Sequence, residues 1–203
     1  MKLYFSQGAC SLSPNIVAHE AGVPITLERI DMKAKKTASG ADFLAINPKG
    51  YVPVLELDDG EVLTEGPAIV QYLADQKPES GLVPKAGTLE RYRVQEMLGY
   101  INSELHKAYS PLFSPGTPAE TRDVQTAHLK KRYALLDERL AKQPYLFGDT
   151  FSVADAYLFT VTRWAVLVKL DLAALTNLMA FQERVAARPA VQAAMKAESP
   201  LLA

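Results

Sequence analysis

NPKGYVPVLELDDGEVLTEGPAIVQYLAD, residues 47–75, carries the pattern that decides the fold. Two short apolar runs, "VPVLEL" and "EVLTE", flank Asp58-Asp59-Gly60, and an Asp-Gly pair between such runs is a strong hairpin signal. "GPAIVQYLAD" then opens a helix with Pro67 at its first position, where a missing N–H is tolerated. Val52-Pro53 begins the first hairpin strand. Proline inside a paired strand removes a ladder donor, so it belongs at a strand's edge or start; a cis bond there would turn the preceding residue's amide outward, toward an extended peptide ligand.

Working toward the N-terminus, "KLYFS" (2–6) suits a strand, and Ser11 or Ser13 can cap a helix that tolerates Pro14 in its first turn and ends at Gly22 and Pro24. "ITLERID" (25–31) alternates as a second strand, and a short helix is expected over 41–46. The first eighty residues therefore read β-α-β-(α)-β-β-α. Toward the C-terminus, "KPESGLVPKAG" (77–87) is a linker, and helices are expected over 88–109, 119–142, 153–170 and 175–187, with a short piece after Pro189. The expected class is α+β: a domain over 1–80 followed by an all-α domain over 89–203, with no internal repeat.

Composition excludes several roles. Lys plus Arg (22) nearly balances Asp plus Glu (23) in 203 residues, and no run of five like charges occurs, so a nucleic-acid footprint is absent. One cysteine cannot form an internal disulfide, which suits a cytoplasmic protein. "MKLYFSQGAC" mimics a lipoprotein signal, but its apolar part is only Leu3-Tyr4-Phe5. No stretch reads as a membrane span; the nearest, 154–170, is interrupted by Asp155, Arg163 and Lys169. One Cys and three scattered His give no metal-ligand spacing, and no Gly-rich phosphate loop is present.

Three features bear on chemistry. Cys10, in "SQGACSLSPN" (6–15), falls between a strand's end and a helix's start, where helix amides can lower a thiol's pKa; on residue type alone it reads first as a small buried hydrophobe. At Glu65-Gly66 a helix N-terminus can hold a carboxylate and the Glu an ammonium, which together suit the zwitterionic end of an amino acid; an ordinary cap beside a solvated Glu reads as well. In "QEMLGYINSELHKAYSPLF" (95–113), Gly99, Ser103 and His106 share one helix face, while Met97, Leu98, Ile101, Leu105 and Ala108 cover the core side. His106 reads either as a cleft residue or as a satisfied core histidine; His19 and His128 receive no role. A Cys-His hydrolase fits the residue types, yet no third, orienting residue stands out.

Taken in order, "GYVP", "TEGPAIVQYLAD", "SELHK" and "YLFGDTFSVADAYLF" resemble a cytosolic glutathione transferase over the whole chain, and "GACSLSP" around Cys10 resembles the bacterial beta class. The resemblance implies a thioredoxin-like first domain, glutathione as co-substrate without a metal, and a homodimer that detoxifies small hydrophobic electrophiles. It assigns the Val52-Pro53 backbone to the cysteinyl part of glutathione, Glu65 and Gly66 to its γ-glutamyl end, and Lys35 to its glycine carboxylate. Cys10 and His106 would flank the sulfur. Ser103 and Glu104 would reach the site of their own or a neighbouring subunit, and Tyr109, Phe113, Trp164 and Val168 would line the apolar co-substrate pocket. Many relatives carry Ser where this chain has Gly66 and Asn where it has Gly99, each a lost hydrogen bond of roughly 0.5 to 1.5 kcal/mol. In "FSVADAYLF", Ser152 and Asp155 have capping-box spacing, a folding element rather than a site. Thiol-disulfide exchange or reductive dehalogenation through a Cys10 mixed disulfide, and non-catalytic carriage of apolar ligands, are the rival activities.

Overall fold

The computed structural model describes residues 1–199. Leu3, Tyr4 and Phe5 of β1 (Lys2–Phe5) are all buried, as a central strand covered on both faces requires. β2 (Thr26–Asp31) runs parallel to β1 with Leu3 opposite Leu27, and β4 (Val54–Glu56) runs antiparallel on its other side with Leu3 opposite Leu55. A parallel pair needs a crossover, supplied by α1 (Leu12–Ala21), which Gly22 ends in the left-handed conformation at φ 66°. β5 (Val62–Thr64) completes the hairpin, with Val54 opposite Thr64 and the Glu61 amide donating to Asp59 Oδ1 at 3.0 Å inside the turn. The sheet order is β3-β2-β1-β4-β5, the expected thioredoxin-like arrangement extended by β3 (Lys36–Thr37) at one edge. Two residues are too few to show a period of two, so β3 left no mark in the sequence. α2 (Phe43–Ile46) is a single turn capped by Asp42, and α3 (Gly66–Asp75) buries Ile69, Val70, Leu73 and Ala74.

The chain divides into two compact units: Met1–Val83 with the segment from Arg188 onward, and Pro84–Ala187. The sequence pattern groups everything after residue 89 together, whereas α10 (Pro189–Glu198) packs in the first unit, against α1. The tie is polar. Buried Asn15 donates to the Ala194 carbonyl at 3.1 Å and to Glu198 at 3.3 Å, and Arg188 grips Glu20 through Nε at 2.5 Å and Nη2 at 2.8 Å.

In the second unit, the single helix expected over 88–109 is instead α4 (Leu89–Tyr100), a π turn over Ile101–His106, a 3₁₀ turn over Lys107–Tyr109 and α5 (Ser110–Phe113). α6 (Ala119–Leu140) follows. The helix expected over 153–170 is two: α7 (Val153–Thr162), buried on every side, and α8 (Trp164–Leu167). The Thr160 and Thr162 hydroxyls donate to the carbonyls of Ala156 and Leu158, a back-bonding that bends helices, and Lys169 at φ 56° ends the segment. α9 (Thr176–Ala186) closes the unit, its start held where the Leu178 amide donates to Asp137 Oδ1 at 2.8 Å. Among the described residues no helix is long and apolar enough to cross a membrane.

Candidate active site

Cys10 sits in the turn between β1 and α1, half-buried, with its carbonyl held by the Ser13 amide at 3.1 Å and the Ser13 hydroxyl at 2.9 Å. Neither serine caps α1 with its side chain: Ser11 occupies the cap position, but its hydroxyl closes the preceding loop onto Ser6 at 3.2 Å. The Cys10 thiol donates to the Val52 carbonyl at 3.2 Å. Val52-Pro53 is cis, and Pro53 leads directly into β4. The loop before it is drawn tight. Lys35 Nζ donates to the Gly50 carbonyl at 2.6 Å, and Gly50 turns at φ 69°, where a Cβ would be strained and would lie 3.1 Å from Leu44 Cδ2.

Glu65 follows β5 as the cap residue of α3, and Gly66 is the first residue of that helix. The Glu65 backbone, φ 70° and ψ 114°, lies outside the regions favoured by a residue with a Cβ, a strain of the kind found at ligand clamps. The Glu65 carboxylate is turned to Tyr51 Oη, which donates to it at 2.6 Å, and to Lys49 Nζ at 3.1 Å. Glu65 in turn raises the pKa of Lys49 and of the Tyr51 phenol, chiefly through these hydrogen bonds. Among the described residues no side chain caps α3, and Pro67 brings no amide of its own. Cys10, Val52, Pro53, Glu65, Gly66 and Lys35 all belong to the first unit.

The other expected site residues belong to the second. His106 closes the π turn, with Nδ1 at 2.5 Å from Tyr157 Oη and its ring edge-on to Trp164 at 4.9 Å between centroids. Trp164 also meets Tyr109 at 5.6 Å and Phe113 at 5.7 Å, both edge-on, so His106, Tyr109, Phe113 and Trp164 form one aromatic cluster. Tyr109 differs from the expectation of a pocket wall. It is fully buried and its hydroxyl bonds that of Tyr133 at 2.9 Å, with burial the main cause of the raised pKa on both phenols. Phe113 is 47% exposed and is the open edge of the cluster. Val168, just past α8, is half-buried and joins none of these ring contacts.

The polar face expected of Gly99, Ser103 and His106 does not form as one surface. Ser103 donates back to the Gly99 carbonyl at 3.1 Å and both are exposed, while the wider π turn carries His106 to Tyr157 instead. Glu104 Oε2 lies 2.7 Å from Arg132 Nε on α6 and 3.7 Å from His128, so its charge is met within its own unit. The residue that sequence reasoning missed is Asn102, whose Oδ1 accepts from Tyr157 Oη at 2.9 Å. It stands one place before "SELHK", on a face that α-helical spacing assigns elsewhere. Among the described residues no group of three or more His, Cys, Asp or Glu is placed to hold a metal.

The family model for the glutathione S-transferase N-terminal domain matches residues 9–76, and that for the C-terminal domain matches residues 100–189. Glutathione S-transferase GstA of Escherichia coli O157:H7 is 47% identical over 198 residues, 98% of each chain. Among solved structures, the ternary complex of BphK, a bacterial GST, superposes with a TM-score of 0.96 at 52% identity, covering 98% of this chain and 99% of that one. A sphingomonad glutathione S-transferase complexed with glutathione gives 0.94 at 47% identity over 98% of both chains. The bacterial beta class glutathione S-transferase of Sphingomonas chungbukensis gives 0.94 at 46%, covering 98% and 99%. With the N-terminal and C-terminal domains of the family matched in order and nearly the whole chain aligned, this chain belongs to the glutathione S-transferase family, in the company of its bacterial beta class.

Proposed function

We propose that the chain binds glutathione on its first unit and transfers the glutathione sulfur, as thiolate, to an electrophilic carbon of a hydrophobic compound. The observation that carries this reading is the strained Glu65 turn at the uncapped start of α3, in a chain whose relatives are glutathione S-transferases. Helix amides there suit the γ-glutamyl carboxylate and Glu65 its ammonium, which would replace Lys49 as the partner of Glu65. The Val52 backbone would take the cysteinyl part and Lys35 the glycine carboxylate. Of the second unit, His106 would accept the thiol proton, and the exposed edge of Phe113 with Trp164 would receive the apolar co-substrate. A homodimer is proposed on family grounds alone, because Glu104 is paired with Arg132 of its own chain. Light scattering should return twice the mass of one chain.

A specific contact favours a second activity. The Cys10 thiol rests on the carbonyl of Val52, the residue proposed to hold the cysteinyl part, so a bound disulfide would present sulfur to sulfur. Cys10 thiolate would then attack glutathione disulfide, forming the Cys10-glutathione bond and releasing one glutathione thiolate. Side-by-side turnover of a chloronitroaromatic, a low-molecular-weight disulfide and a halogenated aromatic acceptor decides among the readings. Conjugation of the chloronitroaromatic is expected, and it should survive Cys10→Ala while disulfide exchange is lost. Turnover of none of the three, with a fluorescent apolar probe still bound, would replace the enzyme reading with a carrier.

A further inference from the structure

His106 is held by a short polar chain to which the family resemblance gives no part. His106 Nδ1 lies 2.5 Å from Tyr157 Oη, and Tyr157 Oη donates to Asn102 Oδ1 at 2.9 Å. A phenol has one hydrogen. With that hydrogen given to a carbonyl oxygen, which can only accept, Tyr157 meets His106 as an acceptor and Nδ1 must bear a proton. Neutral imidazole carries one N–H, so its lone pair is then on Nε2. The chain is anchored at both ends: Asn102 and His106 share the π turn Ile101–His106, and Tyr157, 1% exposed, is locked in α7. Edge-on contacts with Tyr157 at 5.8 Å and Trp164 at 4.9 Å fix the plane of the imidazole.

We propose that Asn102 and Tyr157 are positioning residues that hold His106 in its Nδ1–H form, so that Nε2 is the nitrogen that takes the proton of the glutathione thiol. The proposal rests on the reading of His106 as proton acceptor given above. In that step the S–H bond breaks, its electron pair stays on sulfur, and the proton passes to Nε2. The imidazolium that results already has its Nδ1–H bonded to Tyr157, so no side chain needs to turn over as charge develops. Without this chain the ring could present an N–H where the reaction needs a lone pair, as happens when a histidine base is left in the wrong tautomer.

The test reads the tautomer directly, by ring ¹⁵N chemical shifts on the full chain, whose three histidines make assignment straightforward. In the parent protein near neutral pH, the neutral form of His106 should show a protonated Nδ1 and an unprotonated Nε2. Tyr157→Phe removes the acceptor, and Asn102→Leu lets the phenol hydrogen turn to Nδ1; each should move the proton to Nε2. Each should also lower kcat by at least ~10-fold, with KM for glutathione within about 2-fold of the parent. Asn102→Asp again offers the phenol only an acceptor, so it should restore the parent tautomer and most of the turnover lost in Asn102→Leu. Protonated Nε2 in the parent overturns the proposal, and so does a tautomer shift that leaves kcat unchanged. Should Tyr157→Phe fail to fold, the two Asn102 variants, at a half-buried position, decide alone. A parent that conjugates nothing refutes the proposed function, and the tautomer is still read.

Discussion

Two helices of this chain carry an acidic residue at their N-terminal end in opposite circumstances. At the start of α7, Asp155 is fully buried and its carboxylate accepts from the Leu146 amide at 2.8 Å, the Ser152 amide at 2.9 Å and the Ser152 hydroxyl at 2.6 Å. The capping box spends its acid on the protein's own donors. At the start of α3, Glu65 turns its half-exposed carboxylate away from the helix, toward Tyr51 and Lys49, and holds a backbone geometry that disfavours any side chain. A closed helix start is a folding element. An open one, maintained against strain, is where a ligand's carboxylate can enter.

The largest expected effect tests the closed start. Asp155→Ala orphans three buried donors, a loss of roughly 3 kcal/mol or more, which in a chain of this size lowers Tm by about 10 °C. Thermal unfolding followed by circular dichroism measures it, and a fall of under about 2 °C would show that water replaces the carboxylate, leaving α7 no more closed than α3. Asp155 should also leave a mark on the pH dependence of stability. Burial pushes its pKa up to about 6 from an unperturbed 3.8, against the three donors, which pull it down. The folded state therefore binds this proton more tightly than the unfolded one. Its stabilising contribution is full below pH 3.8 and is lost as pH rises through about 6. Asp155→Asn should remove that part of the slope between pH 4 and 6 in urea titrations, whereas Glu65→Gln should leave it in place.

The next effect breaks the comparison from the open side, and its sign is opposite. Glu65→Gly relieves the φ of 70° and should raise stability by about 1 kcal/mol, since the exposed ion pair with Lys49 adds little. The same change removes the proposed partner of the ligand's ammonium and should raise KM for glutathione ~10-fold or more. Steady-state kinetics and melting on one preparation measure both. Loss of stability together with loss of binding would make Glu65 a structural acid like Asp155.

The closed start was legible in the sequence and much of the open one was not. Ser152-x-x-Asp155 before an apolar run is a local pattern, and local patterns survive translation into structure. The hairpin around Asp58-Asp59-Gly60 and the helix opened by Pro67 were readable for the same reason. Glu65 could be singled out by position, but nothing in its residue type marks a φ of 70°, which a residue carrying a Cβ rarely adopts and which only the folded backbone shows. His106 was placed on a helix face by α-helical spacing, and the π turn changed its neighbours from Ser103 to Tyr157 and Asn102. No residue type announces a π turn. The membership of α10 in the first unit was hidden likewise, because a buried Asn15 on α1 shows its partner, the Ala194 carbonyl, only in three dimensions.

The smallest effect sharpens the contrast by adding a side chain to the open start. A Cβ on Gly66 would meet nothing nearer than Pro53 Cγ at 3.9 Å, an ordinary contact, and the glycine has no positive φ that a side chain would oppose. Serine therefore fits at this buried position without displacing a neighbour. Its hydroxyl adds one donor beside the amides proposed to hold the γ-glutamyl carboxylate, and one hydrogen bond contributes roughly 0.5 to 1.5 kcal/mol. Gly66→Ser should thus lower KM for glutathione by about 2- to 10-fold while kcat stays within experimental scatter, because the added contact is the same in ground and transition states. Replacing glycine near a helix start should also stabilise the chain slightly, by a few tenths of a kcal/mol. Titration calorimetry with glutathione, run on parent and variant, reads the difference directly. Unchanged or weaker affinity would mean that the new hydroxyl closes the helix start onto itself, as Ser152 does for α7, and that an uncapped α3 is itself the condition for binding.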